Sequence, residues 1–172
     1  MPLQVLNHPL AGHLLAALRD KTTPPAQFRT LAANLTTILA IQATYGMRVR
    51  DALVETPIKE TRCRVLDQPL AVVPVLRAGL GMLEPIVQLF PEVAVGYIGL
   101  ERREDTAIAR SYYSKLPNLA GTYTLCVDPM LATGGSAAQA IGLIKAHGAE
   151  QVTMVCIVAA PQGVQKLQEM HP

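Results

Sequence analysis

Short apolar runs that alternate with helical patterns constrain the fold of this chain more than any other feature. The longest such runs, 70–76 and 154–160, have the length of a strand, far below the ~18 residues that a membrane-spanning helix needs. Helical patterns follow at 80–90, 136–146 and 161–170. Strands that are apolar throughout and separated by helices predict an α/β fold: a Rossmann-like parallel sheet with helices on both faces.

The first part of the chain has a different pattern, in which apolar residues recur at helical spacing. Residues 9–20 and 28–42 predict two helices, separated by a Thr-Thr-Pro-Pro segment and ending near Gly46. We therefore expect a single domain over 1–172, with a mainly helical part at 1–65 and an α/β core from residue 66 onward.

Composition and charge exclude several classes of protein. Half of the residues are apolar and 16% are charged, which excludes a disordered chain. Fifteen Lys and Arg residues against thirteen Asp and Glu residues leave a net charge of +2. This balance predicts no nucleic-acid or membrane partner. The N-terminus lacks a basic start followed by an apolar core, so we expect a cytoplasmic protein.

Neither cysteines nor histidines have the spacing of a metal site. The three cysteines, Cys63, Cys126 and Cys156, form no CxxC pair, and the four histidines form no HxxxH pattern. We expect no metal held by protein ligands. Cys126 and Cys156 lie in apolar runs, which predicts buried thiols that act as small hydrophobes.

A glycine-rich segment follows the short apolar run 123–127. Small residues at 132–136 allow a ligand to approach the backbone, and the N–H groups at a helix start bind anions. Thr133 and Ser136 add hydroxyl donors, and Asp128 supplies acceptors for sugar hydroxyls. The pattern suits a sugar phosphate. The alternative is an ordinary glycine-rich turn with a capping Ser or Thr.

The same segment resembles the PRPP-binding motif of phosphoribosyltransferases, in the form typical of the uracil phosphoribosyltransferase family (PRPP is 5-phosphoribosyl 1-pyrophosphate). The resemblance implies that the residues at 132–136 hold the 5-phosphate and that Asp128 holds the ribose hydroxyls. The PRPP-binding residues so implied are Asp128, Pro129, Met130, Leu131, Ala132, Thr133, Gly134, Gly135 and Ser136.

Two further segments resemble the same family. Residues 73–82, with Arg77 followed by Ala78 and Gly79, resemble its pyrophosphate loop. A guanidinium at a strand end can bind pyrophosphate oxygens in a bidentate manner; the alternative is an ordinary surface arginine. The polar stretch from 99 to 121 resembles the family's flexible hairpin flap, in which Arg102 matches the arginine that contacts PRPP. The alternative is a merely solvated hairpin.

The resemblance, which covers essentially the whole chain, implies an enzyme of pyrimidine salvage that converts uracil and PRPP into UMP and pyrophosphate. Arg77, Arg102 and Asp128 would be the catalytic residues, with Mg²⁺ bound mainly through PRPP. GTP is a candidate activator, and a homo-oligomer is expected, with 28–41 and 80–90 as candidate interfaces. We expect the family's C-terminal uracil-binding segment to be missing, so no uracil-binding residue is assigned. The alternative function is a non-catalytic regulator that senses PRPP or a nucleotide.

Overall fold

The computed structural model describes the backbone of residues 2–102 and 109–172, and the side chains of these residues except 102 and 109–111. The described residues form five helices: α1 (Pro9–Arg19), α2 (Pro25–Ala43), α3 (Leu80–Leu89), α4 (Gly135–Ala146) and α5 (Pro161–Met170). They also form ten strands: β1 (Val49–Glu55), β2 (Glu60–Leu66), β3 (Leu70–Leu76), β4 (Ala94–Val95), β5 (Tyr97–Arg102), β6 (Ala109–Lys115), β7 (Tyr123–Val127), β8 (Met130–Leu131), β9 (Gln151–Val155) and β10 (Val158–Ala159).

The central sheet has the strand order β6-β5-β3-β7-β9, and the short strand β4 also pairs with β3. β3, β5, β7 and β9 are parallel to one another, while β6 returns antiparallel to β5. Every residue of β7 is buried, as is every residue of β3 before Leu76. The predicted α/β fold with a covered, mainly parallel sheet is confirmed.

Alternate residues of the central strands pack into different hydrophobic clusters. Ala71 and Val73 pack with Ile141 of α4 and Leu167 of α5. Their neighbours Leu70 and Val72 pack instead with residues of α2 and α3, among them Ala40, Met82 and Ile86. Because successive side chains of a strand point to opposite faces, α4 and α5 cover one face of the sheet and α2 and α3 cover the other.

The N-terminal part differs from our expectation of a mainly helical segment up to residue 65. Helices end at Ala43, and β1 and β2 then form an antiparallel hairpin with Val49 opposite Leu66. Most residues of this hairpin are exposed, so its strands lack the buried apolar face that a sequence pattern reveals. None of the helices in the described ranges is long and apolar enough to cross a membrane.

Candidate functional site

The three segments singled out in the sequence follow neighbouring strands of the sheet. Arg77 comes directly after β3, Asp128 comes directly after β7, and Arg102 is the last residue of β5. β3 lies between β5 and β7 and is parallel to both. The carboxyl ends of all three strands therefore meet at one edge, which is where ligands bind in sheets of this kind.

Gly79 fits the turn after β3 closely against the end of β7. A Cβ atom on this residue would lie 2.5 Å from the carbonyl oxygen of Val127, and 2.7 Å from both the nitrogen and the oxygen of Val75. The Gly79 amide donates a hydrogen bond to the Val75 oxygen at 2.9 Å. Only glycine permits this approach without a shift of backbone atoms. The turn carries the exposed side chain of Arg77 beside the segment that begins at Asp128.

The hairpin predicted beyond residue 99 is present as β5 and β6. Arg102 pairs with Ala109 in an antiparallel register, with an irregularity between Gly99 and Leu100. The first strand of this hairpin thus extends three residues beyond Gly99, into the polar stretch. The side chain of Arg102 and the tip of the hairpin at 103–108 lie outside the described residues, so the PRPP contact of Arg102 stays a prediction.

Asp128 is a half-buried carboxylate. Burial raises its pKa above the usual value, although a hydrogen bond from the Met130 amide opposes that change. In the part of the chain that the structure describes, the recorded ion pair is Arg50–Asp67, so Asp128 has no described cation as a partner. A partly desolvated charge without a counterion is costly, and polar hydrogens of a ligand would compensate it.

Two thiols near Asp128 stay protonated at neutral pH. Burial, and to a lesser degree the negative charge of Asp128, raises the pKa of Cys126 to about 12. The same causes raise the pKa of Cys156 to about 11, against an opposing hydrogen bond from the Leu131 amide. Cys126 is buried as predicted, whereas Cys156 is only partly buried. Neither thiol supplies a nucleophile, because the reactive form is the thiolate.

Backbone hydrogen bonds anchor the segment after Asp128. The Asp128 amide donates to Val155 O at 3.2 Å, Val158 donates to Pro129 O at 3.1 Å, and Ala160 donates to Leu131 O at 2.8 Å. β8 and β10 are the parallel pair that results. The apolar run 154–160, which its length predicts to be a strand, is therefore not one continuous strand. Its second half leaves the sheet after Val155 to hold this loop.

Residues 132–136 form the junction between the loop and α4. Gly134 adopts a left-handed conformation with φ of 76° and is the N-cap of α4, without a side-chain capping bond. The first helical hydrogen bond runs from the Ala138 amide to Gly134 O at 2.9 Å. The amides of residues 135–137 therefore have no acceptor within the helix and form the positive end of its dipole. No Ser or Thr caps α4 at Gly134, and the free amides are compatible with the phosphate site, which stays a prediction.

Helix α5 also contributes to this site, which the sequence did not predict. A Cβ atom on Gly163 would lie 2.5 Å from the carbonyl oxygen of Ala132, and one on Gly134 would lie 2.9 Å from Gly163 O. The first turn of α5 thus packs directly on the loop. The one signal in the sequence was Gly163 itself. It lies in the first turn of a predicted helix, where the backbone does not require a glycine.

A cavity of about 900 Å³ lies elsewhere, along β9, between the N-terminal segment and α5. Of the predicted site residues whose side chains the structure describes, only Leu131 lines it. We base the site on the strand ends, because a phosphate can bind backbone amides on an open surface and needs no deep cavity. Among the described residues, no group of three or more His, Cys, Asp or Glu side chains could hold a metal.

Comparison with known proteins shows what this arrangement is similar to. The chain is 43% identical to a uracil phosphoribosyltransferase from Clostridium perfringens over 169 residues, which cover 97% of the chain and 81% of the relative. It is 45% identical to a uracil phosphoribosyltransferase from Symbiobacterium thermophilum over 170 residues, with 98% and 81% covered.

Solved structures agree on the fold. The AQ2163 protein from Aquifex aeolicus has a TM-score of 0.90 and 35% identity, and the match covers 96% of this chain and 80% of that one. A purine phosphoribosyltransferase from Pyrococcus horikoshii has a TM-score of 0.56 at 14% identity over 76% of this chain and 74% of that one, which shows the shared fold alone. The family model described as "Uracil phosphoribosyltransferase" matches residues 5–172. The chain belongs to the uracil phosphoribosyltransferase family.

Proposed function

We propose that this chain transfers the phosphoribosyl group of PRPP to uracil, which gives UMP and pyrophosphate. The observation that carries the proposal is the meeting of three groups at one edge of the sheet. Arg77, Asp128 and the exposed amides at the start of α4 follow two adjacent parallel strands, β3 and β7. Uracil as the acceptor rests on membership of the family.

In this proposal each part of PRPP has its own partner. The amides at the start of α4 bind the 5-phosphate, because they lack helical acceptors and lie at the positive end of the helix dipole. The Asp128 carboxylate accepts hydrogen bonds from the ribose hydroxyls, which supply the polar hydrogens that its half-buried position lacks. Arg77 binds the pyrophosphate with its guanidinium group.

Catalysis then consists mainly of positioning and electrostatic stabilisation. The bond between the anomeric carbon and the pyrophosphate oxygen breaks as the bond to N1 of uracil forms, and the N1 proton is lost. Negative charge grows on the departing pyrophosphate, so Arg77 stabilises the transition state more than the ground state. Arg102, at the end of β5, is proposed to add a second positive charge when the β5–β6 hairpin closes over the substrate.

We also propose that the reaction uses a magnesium ion as a cofactor, which PRPP oxygens and water hold for the most part. The Asp128 carboxylate at the same edge is a hard oxygen group that could accept a hydrogen bond from a water molecule on such an ion. When bound, Mg²⁺ supplies neutralisation of the pyrophosphate charge.

The removal of the Arg77 guanidinium tests the proposal. We expect Arg77→Ala to lower kcat/KM for PRPP by about 100-fold or more, as the loss of one transition-state donor does elsewhere. Arg77 is exposed, so the variant should fold normally. The measurement is pyrophosphate release with uracil as acceptor, and Lys21→Ala, which removes an exposed charge beside α1, is the matched control.

Two outcomes would count against the proposal at different levels. Unchanged turnover in Arg77→Ala would remove that residue from the mechanism. A wild-type chain that releases no pyrophosphate from PRPP and uracil would contradict the transfer reaction for this chain. The relatives from Clostridium perfringens and Symbiobacterium thermophilum are uracil phosphoribosyltransferases, and no contact among the described residues favours the regulatory alternative.

We also propose that the chain forms a homo-oligomer and that GTP activates it. The oligomer is supported by exposed apolar side chains on the β1–β2 hairpin, where Leu53 is 64% exposed and Ile58 is 92% exposed. An isolated two-stranded hairpin is marginally stable, and a second copy of the chain would cover it. GTP activation rests on the family resemblance, and a GTP titration in the pyrophosphate assay tests it.

A further inference from the structure

Lys166 lies beside the phosphate loop although its sequence position is 30 residues beyond the end of the loop motif at Ser136. Its Cβ atom is 3.3 Å from the place that a Cβ on Gly134 would occupy. Its Nζ atom is 3.9 Å from the corresponding place on Gly135, the first residue of α4. The side chain therefore runs along the junction of loop and helix, and its ammonium group is next to the start of α4.

The packing of α5 fixes this position. Gly163, three residues earlier and on the same face of α5, meets the Ala132 oxygen so closely that no other residue fits without a shift. Leu167 is buried in the core shared with α4. At the other end of α5, the buried His171 donates a hydrogen bond from Nε2 to Ala138 O of α4 at 2.8 Å. Contacts at both ends thus hold α5 against the loop and α4.

The charges around Lys166 favour the binding of an anion there. The first turn of α4 contains no acidic residue, and the ion pair recorded in the described ranges, Arg50–Asp67, lies elsewhere. The nearby Glu169 on α5 accepts a hydrogen bond from Gln165 at 2.9 Å. A cation next to the positive end of a helix is unfavourable by itself, and a bound anion reverses the sign of that interaction.

We propose that Lys166 is a further PRPP-binding residue, which pairs with the 5-phosphate at the start of α4. This inference rests on the proposed placement of the 5-phosphate at residues 132–136. The ammonium group acts as a point charge beside the backbone amides. It contacts only the end of PRPP that does not react, so it strengthens binding of substrate and transition state alike and leaves the chemical step unchanged.

Ribose 5-phosphate isolates this contact, because it carries the 5-phosphate and lacks the pyrophosphate that Arg77 would bind. Calorimetry on the full chain should show about tenfold weaker binding of ribose 5-phosphate to Lys166→Gln than to wild type, the usual effect of losing a charged hydrogen bond. Lys166→Arg should retain most of the affinity. The control Lys145→Gln removes the same charge at the other end of α4 and should bind like wild type.

Steady-state kinetics provide a second test of the contact between Lys166 and the 5-phosphate. In the pyrophosphate assay, Lys166→Gln should raise KM for PRPP and leave kcat unchanged. Its ribose 5-phosphate affinity should also fall less steeply with salt than that of wild type, because one phosphate contact is lost.

Three results would overturn the inference. Equal affinity of Lys166→Gln and wild type for ribose 5-phosphate would exclude the phosphate contact and leave the proposed function intact. The same would follow from an equal loss in Lys145→Gln, since only net charge would then matter. A wild-type chain that binds no ribose 5-phosphate would contradict the phosphate placement itself, and Lys166 with it.

Discussion

In the proposed function, Asp128 favours substrate binding at the expense of folding stability. Its carboxylate lies half-buried after a fully buried strand, and its one opposing interaction is the Met130 amide. The raised pKa means that the folded protein holds the proton more tightly than the unfolded chain does. Asp128 therefore stabilises the folded state when the pH lies below the usual pKa of aspartate. This stabilisation is lost as the pH rises through the pKa that Asp128 has in the folded protein.

We predict that Asp128→Asn is more stable than wild type at pH 7 but inactive with PRPP. The amide removes the desolvated charge and keeps an oxygen for the Met130 amide. The stability gain should disappear as the pH falls and wild-type Asp128 becomes protonated. Urea unfolding across this pH range measures the effect, and Asp51→Asn, at an exposed carboxylate, is the control. A variant less stable than wild type at pH 7 would contradict the argument.

At the residue scale, the sequence predicted the groups that local spacing places together. Asp128 and the glycines at 134 and 135 lie within one loop, so their joint position follows from a strand and a helix in succession. The proximity of Arg77 follows from parallel strands. Lys166 could not be predicted, because its place beside Gly135 depends on the angle at which α5 packs.

The contact between α5 and the loop belongs to the scale of elements. Two backbones meet at Gly163 and Ala132 at a distance that leaves no room for a Cβ atom. The β8–β10 pair holds the residues of the same loop that come just before Ala132. Together these contacts fix the loop before any ligand binds, which lowers the entropy cost of binding.

We predict opposite effects for alanine at two helical glycines. Gly163→Ala should lower the free energy of unfolding by about 1–3 kcal/mol, because a Cβ there displaces the Ala132 carbonyl. It should also raise KM for PRPP. Gly12→Ala on α1, with open space around it, should stabilise the protein by about 0.5–1 kcal/mol. Thermal unfolding checks both, and a Gly163→Ala variant as stable as Gly12→Ala would contradict the close packing.

Elements that bury at least one face were predictable, and elements that expose both faces were not. All five helices were expected from apolar spacing, as were β3 and β7, because each buries a recognisable set of residues. β1 and β2 escaped prediction, since they expose most of both faces. The division between β9 and β10 was also missed, because an apolar run does not reveal where a strand leaves its sheet.

At the scale of the whole molecule, the β1–β2 hairpin stands out because most of its residues are exposed to solvent. It forms a two-stranded sheet of its own, separate from the central sheet. Two of the chain's exposed large apolar side chains, Leu53 and Ile58, lie on this hairpin. The exposed Phe28, Ile41 and Leu80 also lie in the two segments first considered as interfaces.

We predict that the double change Leu53→Glu with Ile58→Glu produces a smaller particle that remains folded. The charges would be desolvated in an interface between copies, whereas they are harmless on a hairpin that faces water. Light scattering after size-exclusion chromatography measures the mass, and circular dichroism checks folding. Val5→Glu, at another exposed apolar residue, is the control. A mass unaffected by the double change would exclude the hairpin as the interface.

The anchoring of the loop has a consequence for how its sequence can vary. The carbonyl oxygens of Pro129 and Leu131 already accept hydrogen bonds from the segment at 157–160. In the proposed function, the ligand is therefore recognised largely by main-chain groups of the loop, and the side chain of Met130, 65% exposed, is not needed to shape it. Substitutions at such outward side chains would then leave the proposed site intact, provided that Gly134 and Gly163 are retained.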